Sequence, residues 1–250
     1  MQQFIYNLVN KFLMNSIEDE IIKYLDKNKK NVFDIGCYRG AFTKKLIQSG
    51  NKLDKKFNFF LFDPNPNVKN YLNPLLNDND IKYFDIALDN TNTTKKFYLN
   101  NFFEPSGSSL NTIAKNDKKW NLTRRMVMQL LQPFKKIGNF SEIEVKTQTL
   151  DNFCLSEKIN FIDVLKIDSE SNELNILKGA EKLLLQNKIY LIYTEISESK
   201  KEFDKKENTV FNFLNRHNFE LKKKYQIKSA SFLSDIRATD NIFVNKNISV

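Results

Sequence analysis

The stretch Val32-Phe33-Asp34-Ile35-Gly36-Cys37-Tyr38-Arg39-Gly40 holds a carboxylate and two glycines at a spacing suited to binding a nucleotide-like ligand. It reads as a buried strand, a tight turn and a helix start. Gly36 lets the chain bend sharply and approach a ligand without a Cβ. Gly40 allows close packing where the helix begins, and the helix N-terminus offers free backbone N–H groups. Tyr38 stands where the second glycine of a G-x-G-x-x-G loop would be, so a pyrophosphate would be crowded and NAD is disfavoured. Tyr38 is either a stacking partner for a ligand or a half-exposed loop aromatic. Asp34 can accept a hydrogen bond from a ligand ammonium, directly or through water; an ordinary βα turn is the alternative. Asp63 closes the apolar run Phe57–Phe62 and can accept both hydroxyls of a ribose. Asp63-Pro64-Asn65-Pro66 reads equally well as a turn and helix start. A third run, Ile81–Leu88, places the backbone around Asp85 and Ala87 where it could edge a nucleobase, on topology alone.

A second set of residues suggests reactive chemistry. Asp168 follows Phe161–Ile167, the strongest strand pattern of the chain, and Glu195 lies in the next one. Glu170 and Asp151 add further acids. One of them could be a general base, or Asp168, Glu195 and Asp151 could together hold Mg²⁺ through oxygen ligands. For Glu170 and Asp151 a helix-capping role competes. Lys166 lies inside the strand, so it points into the core, snorkels out, or serves as a catalytic or substrate-contacting amine. The only histidine, His217, sits where a late helix turns into a strand, which favours a helix C-terminal role over that of a base. Cys37 and Cys154 form no CxxC pattern, so neither a zinc site nor a disulfide framework is suggested, and a reducing, cytoplasmic setting fits.

The elements that must position these residues alternate from Asn31 to Lys188. Strand patterns at 32–35, 57–62, 81–88, 161–167 and 189–196 are separated by helical ones at 41–49, 68–76 and 174–184. Segments 96–99 and 143–149 carry further strand character, and 219–227 with 242–244 read as a closing antiparallel pair. Strands separated by helices imply parallel pairing with right-handed crossovers, and ligands in such sheets bind beyond the carboxyl ends of the strands. Residues 1–30 read as a helical extension and 31–250 as one Rossmann-like domain. Within it, 111–140 is expected to be a helical insertion or lid, rich in Lys and Arg and holding the only tryptophan, Trp120. Net charge is +9 over 250 residues. That is compatible with a polyanionic partner or with a Lys-rich solvated surface. No apolar run approaches the roughly 20 residues needed to span a bilayer.

Four blocks resemble the FkbM family of methyltransferases, in the family's order: 32–40 (VFDIGCYRG), 61–66 (LFDPNP), 149–153 (TLDNF) and 162–180 (IDVLKIDSESNELNILKGA). Tyr193-Thr194-Glu195-Ile196 and Gly107-Ser108-Ser109-Leu110 resemble shorter family segments. The resemblance implies the class I methyltransferase fold, an α/β Rossmann-like arrangement with a central, mostly parallel seven-stranded sheet flanked by helices. It implies S-adenosyl-L-methionine (SAM) as cofactor and O-methylation of a hydroxyl on a sugar, a polysaccharide precursor or a related small metabolite. Departures are Cys37-Tyr38 for Ala-Asn, Asp63 for Glu, and Ser171 for Gly, the last able to alter the backbone beside the active site. An RNA or other nucleic-acid methyltransferase, and a SAM-binding module without turnover, stay open as alternatives. So does assembly as a homo-oligomer.

Overall fold

The computed structural model describes residues 16–26, 28–100, 108–110, 140–199, 209–226 and 236–249. The expected lid at 111–140 lies almost wholly outside the described residues, as does most of the N-terminal extension. Ten strands are described: β1 (Lys30–Ile35), β2 (Phe57–Phe62), β3 (Ile81–Phe84), β4 (Ala87–Leu88), β5 (Thr93–Asn100), β6 (Phe140–Gln148), β7 (Ile162–Ile167), β8 (Ile189–Ser199), β9 (Phe219–Gln226) and β10 (Ile236–Asn245). The helices are α1 (Ile17–Ile22), α2 (Ala41–Asn51), α3 (Val68–Leu72), α4 (Leu150–Ser156), α5 (Glu173–Lys178), α6 (Glu181–Leu185) and α7 (Thr209–Arg216).

The main sheet is 7-stranded, in the order β3-β2-β1-β7-β8-β10-β9. Pairing is parallel from β3 across to β8, whereas β10 runs antiparallel to both β8 and β9. The order reverses between β1 and β7, the switch point at which open α/β sheets leave a ligand crevice. This is the class I methyltransferase sheet expected from the sequence.

Side chains alternate across each strand, so each face collects its own core. Phe33, Phe62, Leu165, Ile192 and Phe243 pack under α4, α5, α6 and α7. Val32, Leu61, Val164, Leu191 and Ile242 pack under α1, α2 and α3. The β1–β3 edge is tied by aromatic contacts: Phe33 stacks on Phe60 at 4.8 Å, and Phe153 meets Phe62 and Phe84 edge-on at 4.8 Å each. Each such ring contributes about 1.5–3 kcal/mol through burial, which makes this edge a firm platform for the loops above it.

Two elements differ from the sequence reading. The run 81–88 divides after Phe84. β3 stays in the main sheet, while β4 pairs with β6, which also pairs with β5, in a separate 3-stranded sheet of order β4-β6-β5. The Ala87 side chain is thereby buried with Phe97, Leu99 and Val145 in the core of that small sheet. The helical pattern 174–184 divides into α5 and α6. At the break, a Cβ on Gly179 would meet the Asp89 carbonyl oxygen at 2.1 Å. The freed N–H groups of Lys182 and Leu183 donate to the two carboxylate oxygens of Asp151, both at 3.0 Å.

Candidate functional site

The glycine loop after β1 owes its shape to two left-handed glycines. Gly36 has φ 71°, and a Cβ there would lie 1.8 Å from the Asp168 carbonyl oxygen. Gly40 has φ 68°, and its missing Cβ leaves room for Leu75 and Leu72. Between them Tyr38 adopts φ 45°, a backbone conformation that costs a non-glycine residue about 1–2 kcal/mol. The neighbouring strands hold the bend. Gly36 N–H donates to the Phe62 carbonyl at 2.9 Å, and Asp168 N–H donates to the Ile35 carbonyl at 3.1 Å. The loops after β1, β2 and β7 therefore meet at one point on the carboxyl edge.

Asp63 joins this loop. Its carboxylate accepts from the backbone N–H of Tyr38 at 3.1 Å and of Asn65 at 3.0 Å, and its carbonyl accepts from the Tyr83 hydroxyl at 2.8 Å. The Asn65 bond is the turn role that the sequence offers for Asp63. Burial pushes the Asp63 carboxyl up to about 6, against the pull of those two N–H groups and Lys166. Ribose hydroxyls would supply the donors that a carboxylate so short of water lacks. Beside it, Tyr38 and Tyr71 rings lie 6.0 Å apart, with the Arg39 guanidinium 5.2 Å and 4.6 Å from their centres. Asp85 is exposed just past β3, at the same edge.

Asp34 behaves differently from the expectation of a ligand-facing acid. It is 0% exposed. Its Oδ1 lies 2.9 Å from Lys166 Nζ, and its Oδ2 accepts from the Thr43 hydroxyl of α2 at 2.7 Å. The reason is register: Asp34 pairs with Lys166 across β1 and β7, so both side chains point under α2. Lys166 is likewise no free amine. It donates to the carbonyls of Ile35 at 3.2 Å and Gly36 at 2.8 Å, and lies 3.5 Å from Asp168 Oδ2. Burial alone would pull its ammonium down; Asp34 and Asp168 outweigh it and hold it above the usual lysine range. Lys166 thus fastens the loop after β1 to the end of β7.

At that end Asp168 keeps 44% of its side chain exposed. Its loop continues through Glu170 (φ 53°) and Ser171 (φ 75°). Ser171 therefore keeps the left-handed conformation for which glycine is suited. The buried Glu173 holds it there, accepting from Ser169 N–H at 3.2 Å, Ser169 hydroxyl at 3.0 Å and Ser171 N–H at 3.1 Å. Ser109 ties the loop from outside, its hydroxyl donating to the Glu170 carbonyl at 2.7 Å. Glu195 is half-buried on β8, opposite Asp240 of β10.

Asp151 is not brought to this group, because both of its oxygens cap α6. Among the described residues, no three His, Cys, Asp or Glu gather to hold a metal ion. His217 Nδ1 is 2.8 Å from the Phe213 carbonyl, the helix-terminal role expected. The sequence reading missed Tyr193, Asp240, Thr43 and Glu173. Glu173 lies within the long family-like block, but nothing in its spacing reveals that it turns back onto its own loop. Asp240 depends on an antiparallel register that no motif encodes.

Comparison with known proteins places the chain in a family. The family model described as Methyltransferase FkbM domain matches residues 34–221. The chain is 24% identical over 188 residues to 2-O-methyltransferase NoeI of Sinorhizobium fredii, covering 73% of this chain and 69% of that protein. A crystal structure of methyltransferase FkbM from Methylobacillus flagellatus aligns with a TM-score of 0.47 and 12% identity. That alignment covers 87% of this chain but only 45% of the other, so this chain spans less than half its length. TrmK of M. capricolum, solved with S-adenosyl-homocysteine (SAH), aligns over 94% of this chain and 70% of that one, with a TM-score of 0.43 and 14% identity. No helix among the described residues is long and apolar enough to cross a membrane.

Proposed function

Since this chain belongs to the FkbM methyltransferase family, whose members are SAM-dependent, we propose that it transfers the methyl group to a hydroxyl of a sugar, a polysaccharide precursor or a related small metabolite. The observation that carries the reading is the junction of three loops at the carboxyl edge, where Asp63 accepts from Tyr38 N–H and Asp168 donates to Ile35. The similarity to a 2-O-methyltransferase supports oxygen as the accepting atom.

SAM supplies an electrophilic methyl group already activated by its sulfonium charge. The residues do the rest. Asp63 accepts the ribose hydroxyls. Gly36 and Gly40 keep the loop low enough for the adenosyl portion to lie against backbone, and Tyr38 offers an aromatic wall. The exposed face of Asp168 orients the acceptor hydroxyl for in-line attack. Lys166 keeps Asp168 and the Gly36 carbonyl in fixed relation, which is a positioning role.

Incubation with methyl-labelled SAM and a panel of methyl glycosides tests this. Label on a glycoside hydroxyl is the expected result. Label entering RNA instead, with affinity falling steeply as salt rises, would favour the nucleic-acid alternative that the +9 charge keeps open. SAM binding without transfer to any acceptor would favour a module lacking turnover.

A further inference from the structure

Sequence leaves the general base open among Asp168, Glu195, Glu170 and Asp151, but a further carboxylate is better suited. Asp240 lies on β10, opposite Glu195 of β8 and Tyr225 of β9. Because β10 runs against β8, the middle of β10 reaches the same carboxyl edge at which β7 ends. Tyr193 links the two regions. It is the ladder neighbour of Lys166 on β8, its ring stacks on Phe42 of α2 at 5.7 Å, and its hydroxyl donates to Asp240 Oδ1 at 2.8 Å. One face of the sheet thus carries a row from Asp34 through Lys166 and Tyr193 to Asp240.

We propose that Asp240, oriented by the Tyr193 hydroxyl, is the residue that takes the proton of the acceptor hydroxyl during methyl transfer. The inference rests on the methyl-transfer reading above. In the step, the acceptor oxygen forms its new bond to the methyl carbon as the carbon–sulfur bond breaks, and that electron pair stays on sulfur as a neutral thioether. The proton of the former hydroxyl passes to the Asp240 carboxylate and then to water.

Two observations favour Asp240 over Asp168. Asp168 Oδ2 lies 3.5 Å from the Lys166 ammonium, so part of its carboxylate is already engaged by a cation. Asp240 has a neutral tyrosine donor in that place, and is partly buried. Burial raises it to about 6, with Tyr193 lowering it, Asp168 and Glu18 raising it, and Lys166 lowering it. A base titrating near neutral pH is suited to this work. Of the titratable groups around it, Glu18 comes from α1, Lys166 from β7 and Asp168 from just after it, Glu195 and Tyr193 from β8, and Tyr225 from β9.

A test that needs no acceptor compares SAM with SAH by calorimetry at pH 6, in buffers of different ionisation enthalpy. Both ligands share the adenosyl portion, so the ribose contacts of Asp63 cancel. Only SAM brings a sulfonium charge to the reactive end, and this should drive Asp240 to ionise. A fall of one unit from about 6 releases about 0.4 proton per site. The SAM-minus-SAH proton release should be present in the native protein and in Asp168→Asn, and absent in Asp240→Asn. Tyr193→Phe should retain it, with its pH midpoint moved upward, because a donor that favours the charged form is gone. Undiminished release in Asp240→Asn, or its loss only in Asp168→Asn, would overturn the assignment while leaving the methyltransferase reading intact. Failure of the native protein to bind either ligand would remove both. SAH binding by each variant shows that it is folded.

Discussion

The sheet edge formed by the ends of β1 and β2 and the edge formed by β7, β8 and β10, which the proposed function reads as the cofactor side and the acceptor side, are built by different means. On the cofactor side the chain works with its backbone. Gly36 and Gly40 sit at positive φ, and Tyr38 donates its N–H to Asp63. On the acceptor side the chemistry lies in side chains brought together from separated strands, with Lys166, Tyr193 and Asp240 side by side only because their strands pair in one register. Backbone sites fail when a side chain intrudes. Side-chain sites fail when one partner is lost and the other is left charged and buried.

Substitutions separate the two kinds of site, and the largest effect is expected at the join between them. Gly36→Val places a side chain against the Asp168 carbonyl at a positive φ, and should abolish SAM binding and lower the melting temperature. A variant with native melting and native SAM affinity would show that the loop is not held against β7. Lys166→Met leaves Asp34 buried without its cation, a loss of about 3–5 kcal/mol by analogy with broken buried pairs. Urea denaturation should show that loss, and the double variant Asp34→Asn/Lys166→Met should recover much of it.

Effects confined to one side should be smaller. Asp63→Ala removes a charged acceptor and should weaken SAM and SAH alike by roughly ten- to a hundredfold, about 1.5–3 kcal/mol, in calorimetry. Unequal losses for the two ligands would place Asp63 near the sulfur and not at the ribose. The smallest effect is on pH. Asp63 must be ionised to accept the ribose hydroxyls, and its carboxyl is raised to about 6. Affinity for SAH should therefore be full above that pH and fall as pH drops through it, by about tenfold at pH 5. A flat profile between pH 5 and 7 would remove Asp63 from the binding step.

Much of the cofactor side was legible in the residue order, because its parts are local. A strand, two glycines and an acid at the next strand end are close enough in sequence to be read as one motif, and the long block 162–180 carried the family. Even so, Asp34 was read as facing a ligand. Strand alternation alone could have placed it under α2, but its partner Lys166 lies far away in the chain, on β7, and only the β1–β7 pairing shows that the two charges neutralise each other. Asp151 misled in the converse way. As a helix-start acid it was recognisable, but the helix it caps is α6, not its own.

The order of elements, the class of fold, the glycine loop and Asp63 were determined by the sequence itself, since backbone propensity and hydrophobic alternation act over a few residues. The tertiary structure decided which acids meet. Side chains at strand ends are positioned by register and strand direction, and these are set by core packing across the whole sheet. Tyr193 and Asp240, 47 positions apart, come within hydrogen-bonding distance because β10 returns antiparallel along β8.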